Sequence, residues 1–159
     1  MENLKVVIAD DEERICQLIQ ALVNWDGLGI EIAEMAHNGI EAFDVVQKVR
    51  PDILITDIRM PGLSGLELIE KVKAACPEME IIIISGYAHF EYAQQAIRFG
   101  VGHYLLKPIN KAELTETLEK LKSKIGQRQE SERDKQVLLQ KAQKNEDYMR
   151  SKLLTQLLN

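Results

Sequence analysis

What is scarce in this sequence narrows its class first. No apolar run approaches the ~20 residues that a membrane helix requires. Met1-Glu2-Asn3-Leu4-Lys5 lacks the basic-then-apolar profile of a signal peptide and enters a strand pattern at once. Cysteine occurs only 2 times, and Cys16 and Cys76 lie in helical patterns without CxxC or ligand spacing. Two buried, reduced thiols are therefore expected, as suits the cytoplasm. His37, His89 and His103 share no ligand spacing either and read as surface or loop residues. Basic charge is short in the main segment: residues 1–125 hold 13 Lys/Arg against 20 Asp/Glu, whereas residues 126–159 hold 7 against 5. An acidic main segment argues against nucleic acid as its direct partner. What remains is an ordinary globular composition, 45% hydrophobic and 28% charged over 159 residues. That is enough for one domain with a buried core, plus an appendage.

Across residues 1–125, short β-rich runs alternate with amphipathic helical patterns. Lys5-Val6-Val7-Ile8-Ala9 reads as a buried strand, followed by a helix with Ile15, Leu18, Ile19 and Leu22 at i, i+3, i+4 and i+7. Trp25 is expected to pack at the end of that helix, with Asp26-Gly27 and Gly29 punctuating the chain. Residues 31–35 form a second, more exposed strand. Ala42, Val45, Val46 and Val49 then mark a helix that Pro51 closes, because its ring cannot continue one. Residues 52–56 form the third strand, and Pro61-Gly62-Leu63-Ser64-Gly65 leads into a helix through Leu68, Ile69 and Val72, with Pro77 at its exit. Residues 80–84 are the most continuously β-branched run and are placed centrally in the sheet. A helix over about residues 88–99 ends at Gly100 as a C-cap, residues 102–106 form the fifth strand, and Leu114, Leu118, Leu121 and Ile125 share one face of the last helix. Five such βα units imply an α/β fold, a parallel sheet covered by helices on both sides through right-handed crossovers.

After Gly126 the composition changes. Residues 127–135 are almost wholly polar before Leu138, Leu139, Met149, Leu153, Leu154, Leu157 and Leu158 reappear. Extending the preceding helix's spacing puts Arg128, Glu132 and Lys135 on the seam, which disfavours a continuous tight coiled coil. Residues 126–159 are expected to be a helical linker, cut in mid-pattern at Asn159.

The informative polar residues stand at strand ends. Asp10 and Asp11 follow strand one, Asp57 strand three, Ser85 strand four and Lys107 strand five. Open parallel sheets bind ligands beyond the carboxyl ends of their strands, where the strand order reverses. If strands one and three are neighbours there, the three carboxylates converge. Such a trio repels itself unless a cation is present, and hard oxygen ligands suit Mg²⁺ better than Zn²⁺. The plain alternative makes Asp10 and Asp11 caps of the next helix and Lys107 a surface lysine. It leaves Asp57 and Ser85 unexplained.

Ile8-Ala9-Asp10-Asp11-Glu12, Asp57-Ile58-Arg59-Met60-Pro61-Gly62, Ile84-Ser85-Gly86 and Tyr104-Leu105-Leu106-Lys107-Pro108 occur in an order and at separations that resemble response regulator receiver domains, over residues 4–125. The resemblance implies a flavodoxin-like doubly wound sheet of strand order 2-1-3-4-5 with a C-terminal helical extension. It makes Asp57 the phosphoacceptor for a phosphoryl group held on a histidine of a sensor kinase. Asp11 and Asp57 would bind Mg²⁺ directly, with Asp10 close by or acting through water and the backbone carbonyl of Arg59 completing the set. Lys107 would contact one phosphoryl oxygen. The Ser85 hydroxyl would contact another after switching, leaving room for Tyr104 to rotate inward. Ser stands at position 85 where Thr is commoner, and both supply the hydroxyl. The Lys107-Pro108 bond is a candidate cis peptide on the same ground. Phosphoryl transfer needs positioning and charge neutralisation more than covalent help, which a divalent ion and a lysine supply. Arg59 and Tyr87 border the expected pocket and would tune the lifetime of the acyl phosphate.

Trp25-Asp26-Gly27-Leu28-Gly29, Ala36-His37-Asn38-Gly39-Ile40-Glu41-Ala42 and the stretch from Ser85-Gly86-Tyr87 to Phe99-Gly100-Val101 are similar to YesN-type regulators. In those a receiver, here residues 1–125, precedes a helical linker, here 126–159, and an AraC-type DNA-binding domain that this chain lacks. DNA would be reached only through that missing domain, and no membrane is involved. Homodimerisation would use the helices of the fourth and fifth βα units or the C-terminal helix. The chain would act on itself, by phosphoryl transfer and slow autodephosphorylation, rather than as an enzyme. Two rivals are weaker. A haloacid-dehalogenase-like phosphohydrolase needs a second Asp two residues after its nucleophile, where Arg59 stands. A phosphorylation-independent scaffold has no use for an acidic pocket.

Overall fold

The computed structural model describes residues 3–86 and 90–158. It divides into two units, residues 1–121 and 122–159.

Among the described residues the first unit is built on five strands, β1 (Leu4–Ala9), β2 (Ile30–Ala36), β3 (Ile53–Thr56), β4 (Glu80–Ser85) and β5 (His103–Leu106). All pair in parallel, in the order β2-β1-β3-β4-β5. That is the flavodoxin-like order the motifs implied. Every residue of β3 and β4 is buried, whereas the edge strands β2 and β5 are only partly so. Strands covered on both faces carry near-continuous apolar runs, and edge strands need not. The run at 80–84 accordingly lies inside the sheet. The middle position, however, belongs to β3, because β-branched content reports double coverage and not rank order.

Among the described residues six helices accompany the strands. In α1 (Glu13–Leu22) the buried residues are Cys16 and Ile19, while Leu18, expected on the core face, is 43% exposed. Leu18 and Ile19 lie ~100° apart on a helix, and the face that meets the sheet continues through Cys16, Ile19 and Val23. The Asp26-Gly27 segment is not a bare turn but a one-turn helix, α2 (Trp25–Leu28). The Asn24 side chain caps it by accepting from the Gly27 amide at 3.2 Å, and Gly29 ends it in the left-handed region. Trp25 packs where expected: it is buried, and its indole N–H donates to the Gln20 carbonyl at 3.1 Å.

Asn38 caps α3 (Gly39–Val49), its side chain accepting from the Glu41 amide at 2.8 Å. Ser64 caps α4 (Gly65–Ala75) in the same way from Glu67, at 3.2 Å. Each is an Asx- or Ser-type cap satisfying an otherwise orphaned helical N–H. The helix expected over about 88–99 is α5 (Phe90–Arg98); its expected start lies outside the described residues, and Gly100 follows it at φ 89. In α6 (Lys111–Leu158), Leu114, Leu118 and Leu121 are fully buried, as their spacing required.

The second unit is one uninterrupted stretch of α6 that continues through Gly126. Val137, Leu138 and Leu139 stand exposed on it. Among the described residues no helix is long and apolar enough to cross a membrane.

Candidate functional site

The sheet delivers its polar residues one step beyond the ladder. Ala9 pairs with Thr56 across β1 and β3, and the next residue of each strand extends the hydrogen bonding. The Asp57 amide donates to the Ala9 carbonyl at 3.0 Å, and the Asp10 amide donates to Ala36 at 3.0 Å. On the other side the Lys107 amide donates to the Ser85 carbonyl at 2.8 Å, and the Lys107-Pro108 peptide that follows is cis. Asp10, Asp57 and Lys107 therefore meet at one end of the sheet although 97 residues separate the first from the last.

Their side chains touch. The Lys107 ammonium lies 3.1 Å from Asp57 Oδ2 and 3.4 Å from Asp10 Oδ2. The remaining oxygens are held by backbone: Asp57 Oδ1 accepts from the Ile58 amide at 2.7 Å and Asp10 Oδ1 from the Glu12 amide at 2.9 Å. Asp10 is 2% exposed and Asp57 7%, while Asp11 opens to solvent. One carboxylate oxygen from each of Asp10, Asp11 and Asp57 lies within 4.8 Å of the others. This acidic pocket could hold a metal ion.

Electrostatics favour a cation. Burial, reinforced by the neighbouring Asp57 charge, pushes the Asp10 carboxyl up to about 6 against the opposing pull of the Glu12 amide and Lys107. Burial disfavours the Lys107 charge too, but Asp57 and Asp10 outweigh it and hold the ammonium above its ordinary value. One ammonium facing three carboxylates leaves the pocket short of positive charge. The donors are all oxygen. The nearby Cys16 thiol, buried and pushed up to about 11 by that burial, stays protonated and donates to the Asp10 carbonyl at 3.8 Å. A hard cation that accepts carboxylates and water, such as Mg²⁺, fits this set, and a soft thiophilic metal does not.

The loop after Asp57 is held from beneath. The Thr56 hydroxyl donates to the Asp57 carbonyl at 2.9 Å, and the Gly65 amide to the Ile58 carbonyl at 2.6 Å. A Cβ on Gly65 would lie 2.1 Å from the Asp57 carbonyl oxygen, and one on Gly39 only 1.8 Å from that of Leu63. Both helix starts therefore need glycine for close approach. The exposed Arg59 guanidinium lies over the Tyr92 ring of α5, 5.9 Å from its centroid.

Ser85 closes β4, fully buried. Tyr104 is a half-buried residue of β5 packed against the core, with its hydroxyl shielded from solvent. That hydroxyl meets no partner in hydrogen-bonding geometry among the described residues, although Ser85 is near enough to temper the rise that burial gives its pKa.

Periodicity missed several contributors. His37, read as an ordinary loop residue, places Nδ1 3.3 Å from the Asp10 carbonyl. Cys16, Gly39 and Gly65 support the site from behind and carried no signal beyond their neighbours in sequence. Tyr87 and His89 lie outside the described residues.

Residues 6–119 match the family profile described as response regulator receiver domain. Among curated relatives, the uncharacterized transcriptional regulatory protein YesN of Bacillus subtilis is 43% identical over 117 residues, 74% of this chain and 32% of that protein. The transcriptional regulatory protein HptR of Staphylococcus aureus is 37% identical over 117 residues, 74% of this chain and 46% of its own length. The chain thus spans less than half the length of either relative. Among solved structures, the REC domain of AraT, a response regulator from Geobacillus stearothermophilus, is 39% identical with a TM-score of 0.77, covering 81% of this chain and 99% of that one. A two component transcriptional regulator AraC from Clostridium phytofermentans is 33% identical with a TM-score of 0.74, covering 80% and 98%.

Proposed function

Because this chain belongs to the response regulator receiver domain family, we propose that it is a phosphorylation switch with Asp57 as its phosphoacceptor and a sensor histidine kinase as its donor. The observation that carries the reading is the Lys107 ammonium bridging Asp57 and Asp10, with Asp11 completing the acidic trio. One Asp57 oxygen is fixed by the Ile58 amide, and the other is presented beside the ammonium. That oxygen attacks phosphorus, the bond from phosphorus to the kinase histidine breaks, and the imidazole leaves with the electron pair. Lys107 then shifts its contact from carboxylate to phosphoryl oxygen.

Asp11, Asp57 and the backbone carbonyl of Arg59 would hold Mg²⁺, with Asp10 beside it; the ion neutralises charge on the phosphoryl oxygens when bound. The added charge of about −1.5 to −2 draws the Ser85 hydroxyl toward the phosphoryl group and leaves space into which the Tyr104 ring rotates inward. Arg59 borders the acyl phosphate and influences its lifetime. The protein modifies itself once per donor and does not turn over an external substrate.

The relatives' names support transcriptional control as the output. On that reading residues 1–125 form the receiver and 126–159 a helical linker to an AraC-type DNA-binding domain, all in the cytoplasm. Dimerisation would use α5 and the first part of α6, or the remainder of α6. Exposed Tyr92, Ile97, Phe99 and Leu106 favour the first. The test is incubation with acetyl phosphate and Mg²⁺, followed by intact mass on the wild type and Asp57→Ala. A phosphate-sized gain confined to the wild type is expected, and a gain in both removes Asp57 from the role.

A further inference from the structure

Every polar atom of Asp10 is engaged, and the partners come from four different parts of the chain. Its amide donates to Ala36 at the end of β2, its Oδ1 accepts from Glu12, and its Oδ2 faces Lys107. Its carbonyl oxygen receives two groups, the Cys16 thiol at 3.8 Å and His37 Nδ1 at 3.3 Å. A carbonyl oxygen can only accept, so Nδ1 carries the proton. The His37 ring is itself fixed at its backbone: its amide lies 3.4 Å from Glu41 Oε2, and Asn38, the next residue, caps α3.

We infer that His37 is a positioning residue for the metal pocket: its Nδ1–H holds the Asp10 carbonyl and so fixes the Asp10-Asp11 segment against the β2–α3 loop. The thiol is a weak donor at a long distance, which leaves the imidazole as the stronger of the two anchors. Nothing else described ties the carbonyl side of this exposed turn to the sheet. Asp11 follows directly and opens to solvent, so its carboxylate can meet the other two only if the peptide before it is held. Groups that orient metal ligands from behind typically change affinity by about 10–100-fold when removed.

This inference rests on the proposed Mg²⁺ role of the acidic trio, and the experiment separates the two. Mg²⁺ alone is titrated calorimetrically into the full chain as wild type, His37→Asn and His37→Phe, with thermal unfolding of each recorded in its absence. Asparagine keeps a donor near the place of Nδ1 and loses the ring; phenylalanine keeps the ring and loses the donor. His37→Phe should bind Mg²⁺ about tenfold or more weakly, with His37→Asn restored close to the wild type and both unfolding near the wild-type temperature. Equal Mg²⁺ binding by all three overturns the inference while leaving the pocket's role intact. Equal weakening in both variants also overturns it, since a donor restored by asparagine would then rescue nothing. A wild type that binds no Mg²⁺ overturns the functional reading and this inference with it.

Discussion

Gly65→Ala adds a single methyl group hard against the backbone of Asp57, the proposed phosphoacceptor. That carbon would stand 2.1 Å from the Asp57 carbonyl oxygen, 2.6 Å from Ile58 Cα and 2.9 Å from the Ile58 carbonyl oxygen. Ordinary contact begins at 3.4 Å, so the start of α4 or the Asp57-Ile58 peptide must retreat by about 1.3 Å. All three obstacles are backbone, and none can swing aside as a flexible side chain would. The retreat also breaks the 2.6 Å bond from the Gly65 amide to Ile58. Overpacking of this kind costs about 1–3 kcal/mol and a lost hydrogen bond about 1 more. The expected destabilisation is therefore about 2–4 kcal/mol.

The same retreat moves Asp57 relative to Lys107, and a misplacement near 1 Å can slow a positioned reaction on the order of 10²-fold. Gly126→Ala is the matched control. Nothing lies within 4 Å of its added carbon, and in a helix interior alanine gains up to about 1 kcal/mol over glycine. Urea unfolding gives the stabilities, and the time course of the phosphate-sized mass gain with acetyl phosphate gives the rates. The two glycines should move in opposite directions in stability, with only Gly65→Ala slowed. A Gly65→Ala protein as stable and as quickly phosphorylated as the wild type refutes the reasoning.

Other perturbations test other contacts. Lys107→Met should slow phosphorylation severely yet tighten Mg²⁺ binding, because it removes a cation that competes for Asp10 and Asp57; weaker Mg²⁺ binding by calorimetry would contradict this. Asp10 has a folded pKa of about 6 against an ordinary 3.8. The folded state therefore holds the extra proton, and its contribution to stability falls as pH rises from about 4 to 6. At about 1.4 kcal/mol per unit the full loss is about 3 kcal/mol, read as the difference between wild type and Asp10→Asn in metal-free unfolding across that range. Arg59→Ala and Tyr92→Leu should couple by about 0.5–1 kcal/mol in a double-mutant cycle, as expected of an exposed cation–π pair. Strict additivity would show that the stacking contributes nothing. Asn38→Ala should cost about 1 kcal/mol by uncapping α3, checked by the same unfolding titration.

What the sequence disclosed depended on the length over which each signal repeats. The doubly covered strands β3 and β4 are buried at every position, and their unbroken apolar stretches, Ile53–Ile55 and Ile81–Ile84, stood out. Leu114, Leu118 and Leu121 keep a helical period for two turns, and all three are buried. In α1 two overlapping stripes share Ile19, and the composition cannot say whether Leu18 or Cys16 faces the sheet. The four-residue α2 is too short for any period and is set instead by its Asn24 and Gly29 caps. The site divides the same way. Asp10, Asp57, Ser85 and Lys107 were legible because strand ends are where such residues are unusual. His37, Cys16, Gly39 and Gly65 act through a carbonyl contact or a close backbone approach, which only three-dimensional proximity reveals.

The pocket's stability and its chemistry pull against each other, and that opposition gives the arrangement its logic. Above about pH 6 the described groups confront one ammonium with three ionised carboxylates, two of them buried. The folded protein bears that repulsion as a cost that the unfolded chain escapes. A divalent cation binding only the folded state would offset it, the whole stabilisation being about 2.7 kcal/mol at 100 times its dissociation constant. The same repulsion that weakens the metal-free protein therefore strengthens its affinity for the ion. Lys107 limits both effects, since it already neutralises part of the charge and must be displaced or shared when the ion arrives. In the proposed reaction a phosphoryl group on Asp57 would replace one carboxylate charge by about −1.5 to −2 beside the ion. The ammonium would gain a phosphoryl oxygen to face as its carboxylate partner becomes the mixed anhydride. On this account the trio is kept at the edge of self-repulsion because a better neutralised pocket would bind the ion, and then the phosphoryl group, less well.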